Sequence, residues 1–73
     1  MKDWRDIRKR LKHVFPDDKL HYYKDGEYFL ICSDSFISDE FDKLSHICRE
    51  YGNGMWYYIT VVDKHICIVV ECL

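Results

Sequence analysis

Proline and glycine are scarce in this chain, with one and three respectively in 73 residues. That scarcity excludes collagen-like, linker-like and low-complexity architectures, and lets each of these residues mark a boundary between elements. Long apolar runs are missing as well. No stretch approaches the ~20 apolar residues a helix needs to cross a bilayer, and charge from Lys2 onward argues against a secretory leader. Nor is there a glycine-rich phosphate loop, a paired nucleophile and base, an HExxH pair or the short C-x₂-C spacing of a zinc knuckle. The chain therefore reads as non-enzymatic, and no cofactor is expected.

What is present argues for a folded domain. Hydrophobic residues make up 48 % of the chain, too many for disorder. Residues 1–73 form one domain, whose small core supplies on the order of 3–5 kcal/mol of net stability. The four cysteines, Cys32, Cys48, Cys67 and Cys72, are expected as reduced, mostly buried thiols in a cytoplasmic protein.

The most informative stretch is the last, Met55 to Cys72. Two β-branched and aromatic runs meet at Asp63-Lys64, which predicts a β-hairpin with those two residues as its loop. Val62 then faces His65, Val61 faces Ile66, Ile59 faces Ile68 and Tyr57 faces Val70. Alternation places Tyr57, Ile59, Val61, Ile66, Ile68, Val70 and Cys72 on one face, the expected floor of the core. The other face carries Trp56, Tyr58, Thr60, Val62, His65, Cys67, Val69 and Glu71.

The preceding chain supplies a helix, a hairpin and a second helix. Trp4, Ile7, Leu11, Val14 and Phe15 form an apolar stripe from about Trp4 to Phe15, with Asp3 as N-cap and Pro16-Asp17-Asp18 as the stop. Asp25-Gly26 marks the tip of a hairpin from Leu20 to Cys32, pairing Tyr23 with Tyr28, Tyr22 with Phe29, His21 with Leu30 and Leu20 with Ile31. Its core face is Leu20, Tyr22, Phe29 and Ile31. Ser38 is the expected cap of a helix reaching about Tyr51. Phe41, Leu44, Ile47, Cys48 and Tyr51 form its buried stripe, and Asp39–Lys43 and Asp42–His46 its outer ion pairs. Gly52-Asn53-Gly54 ends that helix.

The fold class that follows is α+β: a two-layer sandwich in αββαββ order, with two helices on one face of a four-stranded antiparallel sheet. The order suggests a degenerate αββ repeat, residues 1–34 and 35–73. Helices split between both faces would be the competing arrangement.

If the helices cover one side, Tyr23, Tyr28, Trp56, Tyr58 and Val69, with Leu30, Val62 and Cys67, form an apolar aromatic surface on the other. Monomers rarely leave such patches uncovered, and Tyr and Trp are favoured interface anchors. The preferred function is a protein-binding module acting stoichiometrically, with a protein partner or a second copy as a homodimer. Small phage or mobile-element inhibitors of nucleic-acid-handling or host-defence enzymes (anti-CRISPR-like) share this profile. An acidic patch of Asp34, Asp39, Glu40 and Asp42 would compete for a nucleic-acid-binding site.

Two alternatives stand beside it. Residues 1–14 carry six Lys/Arg against two Asp, a balance of +4, while residues 15–73 carry five against eleven, a balance of −6. A basic strip of Arg5, Arg8, Lys9 and Lys12 suits phosphate, although the acidic remainder opposes it. The third reading is a zinc-stabilised domain. His21, Cys32, His65 and Cys67 fall on the same sheet face and would make a Cys₂His₂ site if the hairpins adjoin. His65 and Cys67 are also the nearest approach to a Cys–His nucleophile, at about 6.5–7 Å backbone separation. A membrane partner is not expected.

Overall fold

The structure, a computed structural model, describes residues 4–16, 18–23 and 25–72. The proposed cap Asp3 and the turn residue Asp17 lie outside the described residues. The elements follow the expected order: α1 (Trp4–Lys12), β1 (Leu20–Tyr23), β2 (Tyr28–Cys32), α2 (Ser38–Glu50), a 3₁₀ turn (Gly52–Gly54), β3 (Met55–Val62) and β4 (His65–Cys72). The four strands form one antiparallel sheet in the order β1-β2-β4-β3, so the two hairpins join along β2 and β4.

Both hairpin registers match the sequence reading. Tyr23 pairs with Tyr28 and Leu20 with Ile31 in the first; Val62 pairs with His65 and Tyr57 with Val70 in the second. The second turn is a two-residue loop with both Asp63 (φ 50°) and Lys64 (φ 69°) in the left-handed region, as the right-handed twist of the flanking strands requires. In the first turn the positive φ falls on Glu27 instead of Asp25 or Gly26. Gly26 is needed for space, because a Cβ there would overlap the Tyr28 ring.

Regular helix in α1 stops at Lys12, earlier than Phe15. The chain continues in turns, with the Phe15 N–H donating to the Leu11 carbonyl at 2.8 Å. Phe15 therefore stays beneath the helix and is fully buried. The N-cap of α2 is Ile37, not Ser38. Its N–H donates to the Glu40 carboxylate at 2.9 Å, so an acidic side chain in the first turn satisfies the backbone N–H of the cap residue. His46 pairs with Glu50 (3.0 Å), not Asp42, whereas Asp39–Lys43 forms as expected (3.0 Å).

Both helices pack on one sheet face. Ile7, Leu11 and Phe15 of the first helical segment and Leu44, Ile47 and Cys48 of α2 close over Leu20, Phe29, Ile31, Met55, Ile68 and Val70. Phe36, which falls in a loop, adds to this core by packing edge-on against Phe15 (6.4 Å) and against Phe41 (5.7 Å). The helices are also tied together at their surfaces. Arg10 pairs with Glu50 and lies 5.5 Å over the Tyr51 ring, while the Tyr51 hydroxyl donates to Asp6.

The core ends sooner than the parity of the last hairpin implies. Ile68 is 0 % exposed, but Ile59, Val61 and Ile66, expected in the floor, are 57 %, 67 % and 53 % exposed. Length explains the correction. Eight-residue strands run about 26 Å at ~3.3 Å per residue, whereas α1 and α2 span about 14 and 20 Å at ~1.5 Å per residue. Strand β2 pairs β4 only from Glu71 to Cys67, so the tip of the hairpin extends past its neighbouring strand.

Candidate functional site

The face opposite the helices is open and aromatic. Strand alternation brings Tyr23, Tyr28, Leu30, Tyr58, Thr60, Val62, Val69 and Glu71 around one shallow groove of about 440 Å³. Tyr23 and Tyr28, partners in register, stack with centroids 5.1 Å apart and planes 16° from parallel. Trp56 stands directly opposite Glu71, and Tyr58 is its diagonal neighbour. Both donate to the Glu71 carboxylate: Trp56 Nε1 to Oε2 at 3.2 Å and the Tyr58 hydroxyl to Oε1 at 3.1 Å. One carboxylate thus fixes two large rings on an exposed surface, and its acceptance of the Tyr58 proton raises that phenol above its ordinary pKa.

Four of the five predicted partner-binding residues share this surface as accessible groups: Tyr23, Trp56 and Tyr58 exposed, and Tyr28 half-buried. The fifth, Val69, is only 6 % exposed. It forms the floor of the groove, because it sits on the inner strand β4 with larger side chains on either side. Glu71 was missed as an organising residue. Its signal was available, since the hairpin register already placed it opposite Trp56.

The expected zinc ligands do not assemble. The β2–β4 register sets Cys32 opposite Cys67, with Cα atoms 4.2 Å apart, and the two sulfurs are joined in a disulfide. This corrects the expectation of reduced thiols for that pair. It also removes both sulfur ligands from the His21, Cys32, His65, Cys67 set, and the thiol from the His65–Cys67 pair. Among the described residues, no group of three or more His, Cys, Asp and Glu side chains is placed to hold a metal ion. His65 instead contacts Asp34 at 3.2 Å. Cys48 and Cys72 remain thiols, and burial pushes Cys48 up to about 11 from an ordinary 9.0.

The charged sets divide. Arg5, Arg8, Lys9 and Lys12 line one depression on α1, as helical spacing requires. The acidic residues are dispersed in their duties: Asp34 lies against His65, Asp39 pairs with Lys43, Glu40 caps α2 and Asp42 is exposed. Among the described residues, no helix is long and apolar enough to cross a membrane. No protein-family model matches the chain, and neither does any curated protein or solved structure.

Proposed function

We propose that this chain is a small non-enzymatic module that binds a protein partner stoichiometrically through its open sheet face. The observation that carries this reading is the Trp56–Glu71–Tyr58 cluster beside the Tyr23–Tyr28 stack. Rings held in place by hydrogen bonds and stacking lose little conformational freedom on docking, so their apolar area converts efficiently to affinity. Inhibition of a nucleic-acid-handling or host-defence enzyme is the role that suits a binder of this size, in the manner of small phage inhibitors.

Nucleic-acid binding through α1 is the second reading, favoured by the convergence of Arg5, Arg8, Lys9 and Lys12 on one depression. Affinity capture from the source cell separates the two. Capture of a protein should be lost with Tyr23→Ala/Tyr28→Ala, kept with Arg8→Glu/Lys9→Glu, and insensitive to nuclease. Loss on charge reversal alone, with a steep fall in binding as salt rises, would instead establish phosphate contacts.

A further inference from the structure

Strand β3 lies at one edge of the sheet, and among the described residues its backbone is hydrogen-bonded only to β4. Proteins usually blunt such an edge with proline, lysine, an inward charge or a short strand. Met55–Val62 has none of these: it is eight residues long and contains no proline, Asp, Glu, Lys or Arg. The backbone chemistry follows from the turn. Val62 and His65 close a two-residue loop and so exchange both hydrogen bonds. Trp56, Tyr58, Thr60 and Val62 therefore direct their backbone groups to β4, while Tyr57, Ile59 and Val61 direct theirs outward. Among the described residues, no loop or helix backbone bonds to that outward row.

We propose that β3 pairs with β3 of a second copy, antiparallel about a two-fold axis through Ile59, joining the two sheets into one. Self-pairing suits this strand for three reasons. Residues opposite one another in a ladder share a face, so a two-fold through a residue matches the helix-side residues of one copy with those of the other, and the open-side residues likewise. With Ile59 at the centre, Trp56 meets Val62, Tyr57 meets Val61 and Ile59 meets itself, pairs of the kind that stabilise sheets. The uncharged strand also lets two copies of an acidic chain meet without like charges in contact, and each Lys64 is carried toward the end of the sheet where the other copy's Glu71 stands. Finally, Val61 is brought beside a Tyr57 that already lies against Phe41 of α2, at 6.4 Å, so the overhanging tip gains the helix cover its own chain does not supply. An axis through Tyr58 would instead spend a pairing on Met55, which is already buried.

The axis is normal to the sheet, so both open faces fall on the same side. The dimer would present two Tyr–Trp–Glu surfaces on one platform, but its formation does not depend on the partner-binding reading. Sedimentation from micromolar to millimolar concentration tests it. The wild type should pass from one chain to two, Tyr23→Ala should do the same, and Ile59→Lys should remain one chain with an unchanged circular dichroism spectrum. If Ile59→Lys fails to fold, Val61→Lys provides the same charge at a still more exposed position. In a Cys48→Ala/Cys72→Ala background, Ile59→Cys should form an intermolecular disulfide readily on mild oxidation, and Val62→Cys should not. A wild type that stays one chain throughout, or an Ile59→Lys variant that pairs as well as wild type, overturns the proposal. Preferential cross-linking of Val62→Cys overturns the two-fold at Ile59. Loss of partner capture by Tyr23→Ala/Tyr28→Ala with the dimer intact would leave the two interfaces separately established.

Discussion

Cys32 and Cys67 are covalently joined across the seam where the two hairpins meet. Cys67 spends its backbone hydrogen bonds on Thr60 of β3, by the same count from the turn, so its pairing with Cys32 is the close, non-hydrogen-bonded kind in which side chains approach most nearly. The bond links strands that are distant in sequence, its ends standing 35 positions apart.

Closing a loop of that length contributes about 3–4 kcal/mol in the chain-entropy view, comparable with the whole stability expected of so short a domain. Dithiothreitol, or Cys32→Ala/Cys67→Ala, should lower the melting midpoint by roughly 15 °C or more. A thiol titration of the unfolded, unreduced chain should find two thiols, Cys48 and Cys72. Four thiols would remove the bond from the fold.

The two ends of the last hairpin should respond differently to truncation. Ile68→Ala removes atoms from a sealed core and should cost about 2–5 kcal/mol. Ile66→Ala, on the same face but exposed, should change stability by less than about 0.5 kcal/mol in the monomer. Equal losses in denaturant melts would show that the tip is covered.

Glu71→Ala should release both rings that donate to it. Tyr58 should then titrate at a lower pH than in the wild type, toward the ordinary tyrosine value, because its proton no longer has a carboxylate acceptor. Ultraviolet difference titration reads this directly, and Trp56 fluorescence should shift with the loss of its indole partner. An unchanged phenol titration would mean that the cluster does not persist in solution.

Alkylation of Cys48 should rise with pH toward a midpoint of about 11. Because burial raises the folded-state value above an ordinary thiol's 9.0, the neutral form favours the fold. Its contribution is complete below pH 9 and is lost as pH climbs between 9 and about 11. Cys48→Ala should flatten that part of the alkaline decline in melting temperature. An alkylation midpoint near 9 would place the thiol in water.

Lys64→Gly should stabilise the hairpin modestly. Left-handed backbone costs a residue with a Cβ about 1–2 kcal/mol, partly offset by the roughly 0.5–1 kcal/mol entropy penalty of glycine. A midpoint raised by a few degrees is expected, with Asp63 unchanged.

Local pattern determined a great deal here. Alternation and turn chemistry assigned every strand pairing within a hairpin, and the helical stripes assigned Ile7, Leu11, Leu44 and Ile47 to the core, because side-chain direction is fixed by periodicities of 2 and 3.6 that reach only across neighbours. The same reasoning put Trp56 and Tyr58 on the side away from the helices, and Glu71 beside them. It failed where the outcome depended on elements far apart in the chain. Whether Ile59, Val61 and Ile66 are buried depends on how far α1 and α2 extend over an eight-residue hairpin, and whether Cys32 and Cys67 are ligands, thiols or a disulfide depends on β2 meeting β4 in one register. The reach of the helices made the first decision and strand order the second, and both follow from how two amphipathic halves bury their apolar faces together, a relation that no single segment carries.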